Sequence, residues 1–237
     1  MLWTARSLAL VIAFSFWVLA VGVPLGTLLA STFLDPVFFS TLTEASVLWI
    51  ASFTAWQAAL STVFSAFLGL GLGLWLGQGL AARAPGADLG VSLLAVPYGV
   101  PTVVAAMAWI FWLGRSGILA RYGLDPDWLY SAKAVVLAHV FFNAPWVALQ
   151  VAQARAQVSL RHLDAARILG AGAFSRFLFV IWPKLRWSFL AAATQVFTAC
   201  CLSFSLVLLL GGGPPVETLE TALYSRVRYA GLDLAGA

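Results

Sequence analysis

Long uncharged stretches alternate with short polar ones along the 237 residues of the chain. A helix needs about 20 mostly apolar residues to cross the roughly 30 Å of bilayer hydrocarbon, and each uncharged stretch reaches that length. Because the stretches are also too continuously apolar for membrane strands, the pattern predicts an all-α integral membrane protein. Five spanning helices are expected, at about residues 8–30, 56–80, 89–113, 134–154 and 187–210.

The second uncharged stretch, residues 45–82, is too long for one perpendicular crossing. Its first part, residues 45–54, is expected to lie along the outer interface, where Trp49 and Trp56 would join an aromatic belt. Further along this stretch, glycines recur every four residues and therefore share one helix face, which favours close packing of a second helix. They are Gly69, Gly73 and Gly77.

Polar residues and prolines inside the later spans indicate a candidate solute pathway. Pro97 and Pro101 each remove a backbone donor, so the third span is either the kinked wall of a pathway or simply a kinked helix. His139 and Asn143 share one face of the fourth span, where they either lock two helices together or contact solute. The candidate pathway residues are Tyr98, His139, Asn143 and Gln195.

The placement of Lys and Arg predicts the orientation. With the N-terminus in the cytoplasm, eight of the thirteen basic residues lie inside and five outside. The positive-inside rule favours this orientation. Residues 216–230 carry a narrow apolar stripe and are expected to form an interfacial helix on the outer side. Cys200 and Cys201 lie within an apolar span without metal-ligand spacing, so we expect them to be packing residues and predict no metal site.

A basic polar segment over residues 155–186 separates the fourth and fifth spans. Its pattern predicts a helix at residues 163–169 with Asp164 near its start, ended by Gly170 or Gly172. A second helix is predicted at residues 173–181 and would be closed by Pro183. Because this elbow also carries many apolar residues, we expect it to bury one face in a cytoplasmic partner.

The residues of this elbow resemble the EAA loop of permease subunits in ATP-binding-cassette (ABC) importers. The matching residues are Asp164-Ala165-Ala166, then Gly170 after three residues, then Val180-Ile181-Trp182-Pro183 after nine more. The spacing is intact, although Asp, Val and Trp replace the usual Glu, Ile and Leu. The resemblance implies a type I ABC importer transmembrane domain over residues 1–237, with a cytoplasmic coupling loop. Its coupling residues would be Asp164, Ala165, Ala166, Gly170 and Pro183.

Residues 137–145 and 206–224 narrow the resemblance to the first half of the fused permeases of thiamine importers. The similarity runs from about Trp49 to the C-terminus and implies a solute such as thiamine or its phosphates. Related ferric-iron permeases share the layout, so ferric iron or another small solute is the alternative. The fused permeases have two repeats, each with its own loop, whereas this chain has one. A second half, either a separate polypeptide or another copy, is expected to complete the pathway.

The resemblance also implies a bacterial inner membrane location and two further partners, an ABC ATPase and a periplasmic or extracellular solute-binding protein. A phosphate-binding G-x-x-x-x-G-K-[ST] motif is absent from the sequence, so ATP is expected to bind the partner and no cofactor is expected here. The sequence also lacks zincin and G-x-S-x-G motifs, which disfavours a membrane enzyme. A scaffold would not explain the prolines and polar groups within the spans. We expect lipid contact and no nucleic acid.

Overall fold

The computed structural model describes residues 2–33, 43–123 and 128–229, and helices make up nearly all of these ranges. No named strand occurs within them, as expected for an all-α protein. The chain divides into two compact units, one drawn from residues 1–49 and 223–237 and the other from residues 50–222. Three helices in the described ranges are long and apolar enough to span a membrane, or four if a bent pair counts as one.

The N-terminal helix agrees with the predicted first span. It comprises α1 (Leu2–Trp17), a π-helical turn (Val18–Gly22) and α2 (Val23–Phe33). Pro24, the second residue after the π turn, has no N–H with which to continue the α-helical ladder, which accounts for the local change in hydrogen bonding. Residues Leu10–Ala30 of this helix are long and apolar enough for a crossing.

Helix α3 runs without a break from Ala45 to Ala81. The prediction of a separate interfacial segment over residues 45–54 is therefore wrong. These residues contain neither proline nor glycine, so nothing in the backbone chemistry interrupts the helix. At 37 residues, α3 is about 55 Å long and exceeds the bilayer hydrocarbon, a mismatch that tilt or protrusion would absorb.

The third predicted span, residues 89–113, is two helices rather than one. Helix α4 (Ala87–Gly99) and helix α5 (Thr102–Leu113) meet at an angle of 92°. Val100 is extended, and Pro101 holds φ at −56° while lacking a backbone donor. A proline disfavours helical backbone at the residue before it, which explains the break at this position.

The remaining helices follow after a 3₁₀ turn at Leu119–Tyr122. Helix α6 (Ala132–Ala156) contains the fourth predicted span, and α7 (Leu160–Ile168) and α8 (Ala173–Arg176) lie in the loop after it. A π-helical turn (Phe177–Ile181) leads into α9 (Trp182–Cys201), then α10 (Ser205–Leu210) and α11 (Leu219–Tyr229). Helix α11 lies within the predicted interfacial helix at residues 216–230, whose location at an interface stays a prediction.

The fifth predicted span, residues 187–210, is interrupted. Helix α9 ends at Cys201, and the chain turns at residues 202–204 before α10 begins. Helix α9 is not among the helices long and apolar enough to span a membrane. Its first turns carry Lys184 and Arg186, and Gln195 further lowers its hydropathy, so its sequence is less apolar than the uncharged run alone suggested.

Helices α3 and α6 pack closely and run parallel. A Cβ atom added to Gly69 would lie 2.5 Å from the Cβ of Val147, and one added to Gly73 would lie 2.5 Å from the Cβ of Val151. One turn further, a Cβ on Gly77 would lie 2.6 Å from that of Arg155. The partner advances by four residues with each glycine, so the two chains have the same direction. The predicted glycine face is thus confirmed as a helix-packing surface.

The parallel direction of α3 and α6 determines the path of the chain between them. The end of α3 lies beside the end of α6, so residues 82–131 must return along the length of the bundle before α6 can begin. The bent pair α4 and α5 supplies the helical part of this return. It therefore acts as one crossing in two pieces rather than as a loop that re-enters from one side.

Helix α6 is the central helix of the second unit. One apolar cluster joins it to α3 and α9 through Ala58, Val147 and Leu185. A second cluster joins it to α5 and α10 through Ala106, Ala138 and Leu206. Small side chains are frequent in both clusters, as is typical of helices that pack closely in membranes.

We predict that Gly73→Ala destabilises the protein whereas Gly71→Ala does not. The added Cβ at position 73 meets Val151 and the Ala148 carbonyl oxygen at 2.6 Å or less, while position 71 has no atom within 4 Å. Overpacking costs about 1–3 kcal/mol, and alanine at an open helical site gains up to about 1 kcal/mol in helix propensity. Thermal unfolding in detergent, followed by circular dichroism, measures both effects. Shifts of the same sign and size would contradict the packing described above.

Candidate functional site

The loop between α6 and α9 begins with helix α7, which starts earlier than predicted. Its first residue is Leu160, so Asp164 lies in the middle of the helix rather than near its start. That part of the prediction is wrong because Ser159, not a residue nearer Asp164, precedes the first helical turn. The Asp164 carboxylate instead pairs with Arg167 at 3.5 Å on the exposed side of α7.

Gly170 ends α7 in the left-handed conformation, with φ at +79°. The Ala171 N–H donates to the Ala166 carbonyl at 2.9 Å, and the Gly170 N–H donates to the Arg167 carbonyl at 2.9 Å. These bonds form a Schellman-type helix end, which favours glycine at the left-handed position. Of the two predicted terminators, Gly170 is therefore the one observed. The three-residue spacing between Ala166 and Gly170 is the spacing that this helix end requires.

The second half of the loop differs from the prediction. Helix α8 covers only Ala173–Arg176, and the π-helical turn joins it to α9 without a stop. Pro183 lies in the first turn of α9 and does not close the preceding helix. Its missing N–H comes directly after the π-helical turn, where the Trp182 N–H bonds to the Phe177 carbonyl and the α-helical ladder is already altered. Two residues after Pro183, Leu185 is fully buried and packs in the cluster that joins α3, α6 and α9.

Large apolar side chains on this loop are exposed. We call them the apolar loop face: Ile168, Leu169, Phe174 and Phe179, with exposed fractions of 87%, 85%, 75% and 74%. Leu163 is the only residue of α7 that is buried. Several large exposed apolar side chains on one folded loop indicate a candidate protein-docking surface.

A buried polar seam joins α3, α6 and α9. The Oγ of Ser61 lies 3.3 Å from Nδ1 of His139, and both residues are buried. The Asn143 amide donates to the His139 carbonyl at 2.8 Å and lies 3.5 Å from Sγ of Cys200. This geometry supports the helix-locking alternative for His139 and Asn143. Cys200 is fully buried, as expected for a packing residue.

Gln57 extends the seam and was not identified from the sequence. It is fully buried, and its amide donates to the Cys200 carbonyl at 2.9 Å. Ser61 and Ser65 lie on the same buried face of α3. The signal was present, because Gln57, Ser61 and Ser65 continue the four-residue spacing of the glycines toward the start of the helix. Together they form a polar and small-residue stripe in an otherwise apolar helix.

The other two pathway candidates lie apart from this seam. Gln195 is exposed on α9, whereas its neighbour Val196 is buried. Tyr98 is 56% exposed in the last turn of α4, and its ring stacks on Trp146 of α6 with centroids 4.8 Å apart. The structure thus groups His139 with Asn143 and leaves Tyr98 and Gln195 on exposed surfaces.

Membrane-length helices, a broken crossing and a structured loop with the EAA spacing agree with the permease fold that the resemblance of the loop implied. The chain belongs to the family of binding-protein-dependent transport system inner membrane components, whose model matches residues 69–232. The match includes the polar loop and the seam residues of α6 and α9, namely His139, Asn143 and Cys200. Membership in a transport family agrees with the exclusion of enzyme classes from the sequence.

Known relatives support the same assignment. The thiamine transport system permease protein ThiP of Brucella abortus (strain 2308) is 34% identical over 189 residues, which are 77% of this chain and 34% of that protein. The sulfate transport system permease protein CysW of Escherichia coli (strain K12) is 28% identical over 142 residues, 59% of this chain and 48% of that one. The chain thus spans about a third of the length of its thiamine-system relatives.

A solved structure has the same fold. The crystal structure of a bacterial ABC transporter involved in the import of the acidic polysaccharide alginate matches with a TM-score of 0.76 and 15% identity. The match covers 99% of this chain and 87% of that chain. It confirms the importer fold that the resemblance of the loop implied.

We predict that Gly170→Ala loosens the loop whereas Gly172→Ala does not. A Cβ atom added at either glycine would have no atom within 4 Å, so neither substitution causes a steric clash. Only Gly170 has a positive φ, which costs a residue with a side chain about 1–2 kcal/mol. Hydrogen exchange at residues 163–171 should therefore accelerate about tenfold in Gly170→Ala. Equal exchange in the two variants would contradict the role of the left-handed helix end.

Proposed function

We propose that the chain is a membrane-spanning permease subunit of an ATP-driven importer for thiamine or its phosphates. Membership in the transport family and 34% identity to a permease named for thiamine transport support this proposal. Solute would cross the bacterial inner membrane by alternating access. Receptor, ATP and solute would each have to prefer a different conformation, because a ligand shifts an equilibrium only through differential affinity.

The apolar loop face is the observation that carries the coupling proposal. The loop is anchored by the buried side chains of Leu163 and Leu185, while its large apolar side chains remain exposed. Burying one large apolar side chain contributes about 1.5–3 kcal/mol, so a complementary cleft would bind this face strongly. We assign that cleft to a cytoplasmic ABC ATPase subunit, which would bind and hydrolyse the ATP.

Individual coupling residues have distinct proposed roles. Ala165 and Ala166 supply carbonyl acceptors to the end of α7, and Gly170 provides its left-handed residue. Asp164 and its partner Arg167 remain on the exposed side, where they could pair with groups of the ATPase. Pro183 would transmit displacement of the loop into α9, because it lies in the first turn of that helix.

Further partners complete the proposed machine. A solute-binding protein would deliver solute on the outer side, with the N-terminus of the permease in the cytoplasm. A second permease half, separate or another copy, would supply the rest of the pathway, in which Tyr98, Asn143 and Gln195 are candidate lining residues. Ferric iron or another small solute is the alternative cargo. The similarity to a sulfate-system permease supports this alternative, because that relative is named for a different solute.

The experiment for the importer is ATP hydrolysis in lipid nanodiscs by the permease with its second half, the ATPase and the solute-binding protein. Thiamine-loaded binding protein should stimulate hydrolysis, and unloaded binding protein should stimulate it less. If binding protein loaded with ferric iron or sulfate stimulates hydrolysis and thiamine-loaded binding protein does not, then thiamine is not the solute and the stimulating ion is. Absence of ATPase binding would contradict the importer itself.

For the loop, we predict that Ile168→Asp weakens binding of the ATPase about tenfold or more, because it removes one exposed apolar anchor and adds a charge. Ile168→Leu is the matched control, since it preserves apolar surface of the same size, and should bind as the unmodified permease does. Surface plasmon resonance with permease in nanodiscs measures both affinities. Unchanged binding of the Asp variant would show that the apolar loop face is not the docking surface.

A further inference from the structure

The break between α4 and α5 lies near the middle of the bundle. The ring of Tyr98, one residue before the end of α4, stacks on Trp146 with an interplanar angle of 18°. Trp146 is close to the midpoint of the 25-residue helix α6. The stack therefore fixes the end of α4 at about half the height of a membrane-length helix, far from both polar surfaces.

The end of α4 carries a partial negative charge. The last four carbonyl groups of a helix lack helical N–H partners, and the helix dipole adds to their field. At this break, the Val100 N–H bonds to the Pro97 carbonyl, and Pro101 has no N–H to offer. The first amide groups of α5 have the opposite polarity, but the 92° bend turns their axis away from that of α4. Discontinuous helices at mid-membrane commonly place such carbonyl ends against cations.

Tyr98 adds an aromatic surface next to these carbonyl groups. Trp146 covers part of its ring, yet the residue remains 56% exposed. Aromatic rings attract cations through their negative face, most strongly where water is scarce. Space is also available, because an added side chain on the adjacent Gly99 would have no atom within 4 Å.

We propose that Tyr98, supported by Trp146, and the carbonyl end of α4 form a binding site for a flat organic cation. The inference rests on the proposed function and deepens it, because the thiazolium ring of thiamine is a permanently charged aromatic cation. The ring would stack on the open face of Tyr98 while its positive charge faces the helix end. His139 and Asn143 lie in the seam between α3, α6 and α9 and have no part in this site.

The test compares Tyr98→Phe with Tyr98→Leu in the complete importer. Phenylalanine keeps the ring and should transport thiamine with a half-saturating concentration within about twofold of the unmodified importer, whereas leucine should raise it about threefold to tenfold. Tyr122→Leu, which removes another exposed tyrosine ring, is the matched control and should have no effect. ATP hydrolysis without solute and the melting temperature, measured on each variant, report whether the bundle is intact.

A second measurement does not depend on loss of the ring. A maleimide should label Gly99→Cys, and saturating thiamine should slow this labelling, with the unsubstituted chain as the background for Cys200 and Cys201. Gly71→Cys, also at an open position, should react equally with and without thiamine.

The outcomes separate this site from the proposed function. Stimulation of ATP hydrolysis by thiamine-loaded binding protein, together with a Tyr98→Leu effect and protection at position 99, supports both. Stimulation without either effect overturns the site and leaves the importer standing. Loss of transport in Tyr98→Leu with a lowered melting temperature and no protection at position 99 also overturns the site. Failure of thiamine to stimulate the unmodified importer overturns the thiamine assignment and this site together.

Discussion

Close approach of α3 and α6 is the constraint on which the rest of the second unit depends. Three glycines, one per turn, let the backbone of α3 rest directly on the side-chain stems of α6. In a bilayer, helix association gains little from the hydrophobic effect and depends on van der Waals packing at such small-residue surfaces. The parallel direction of this pair then requires the chain to return between them. The α4–α5 crossing supplies that return, and Pro101 divides it into two helices.

The buried face of α3 that carries the glycines also carries polar groups, and these bond α9 to α3 and α6. Gln57 donates to the carbonyl of Cys200, and Asn143 approaches its sulfur. Unpaired polar groups are costly in hydrocarbon, so each of these bonds strongly favours the assembled state. Helix α9 is thus held near its end by the seam and near its start by Leu185. It connects the apolar loop face directly to the centre of the bundle.

Much of this arrangement could be predicted from the sequence because it follows from local backbone chemistry. The glycine face and the left-handed Gly170 each reflect a position where a side chain would clash or strain the backbone. Helices over most of the predicted spans follow from their uncharged length. The spacing from Ala166 to Gly170 likewise follows from the geometry of one helix end.

What the sequence did not reveal depends on tertiary packing or on weak local signals. The prolines of the third span predicted a kink, and the break at residues 100–101 bears this out. An uncharged run without proline does not show where a helix breaks, so the interruption at residues 202–204 was missed. Length alone suggested an interfacial segment before Trp56, although no helix-breaking residue supported one. The start of α7 was placed too late, and Pro183 was read as a stop although it begins the next helix. The four-residue spacing places Gln57 on the glycine face, but it does not identify the carbonyl, 143 residues away, to which its amide donates.

The parallel register of α3 and α6 can be tested most directly by disulfide cross-linking in native membranes. With Cys200 and Cys201 changed to Ser, the pair Ser61→Cys and His139→Cys should cross-link rapidly under mild oxidation, because these side chains are in contact. The pair Ser61→Cys and Ala152→Cys should not, because Ala152 lies beside Gly77, four turns away along α3. An antiparallel pair of helices centred on Gly69 would bring Ser61 close to Ala152 instead. Cross-linking of the second pair and not the first would contradict the fold on which this account depends.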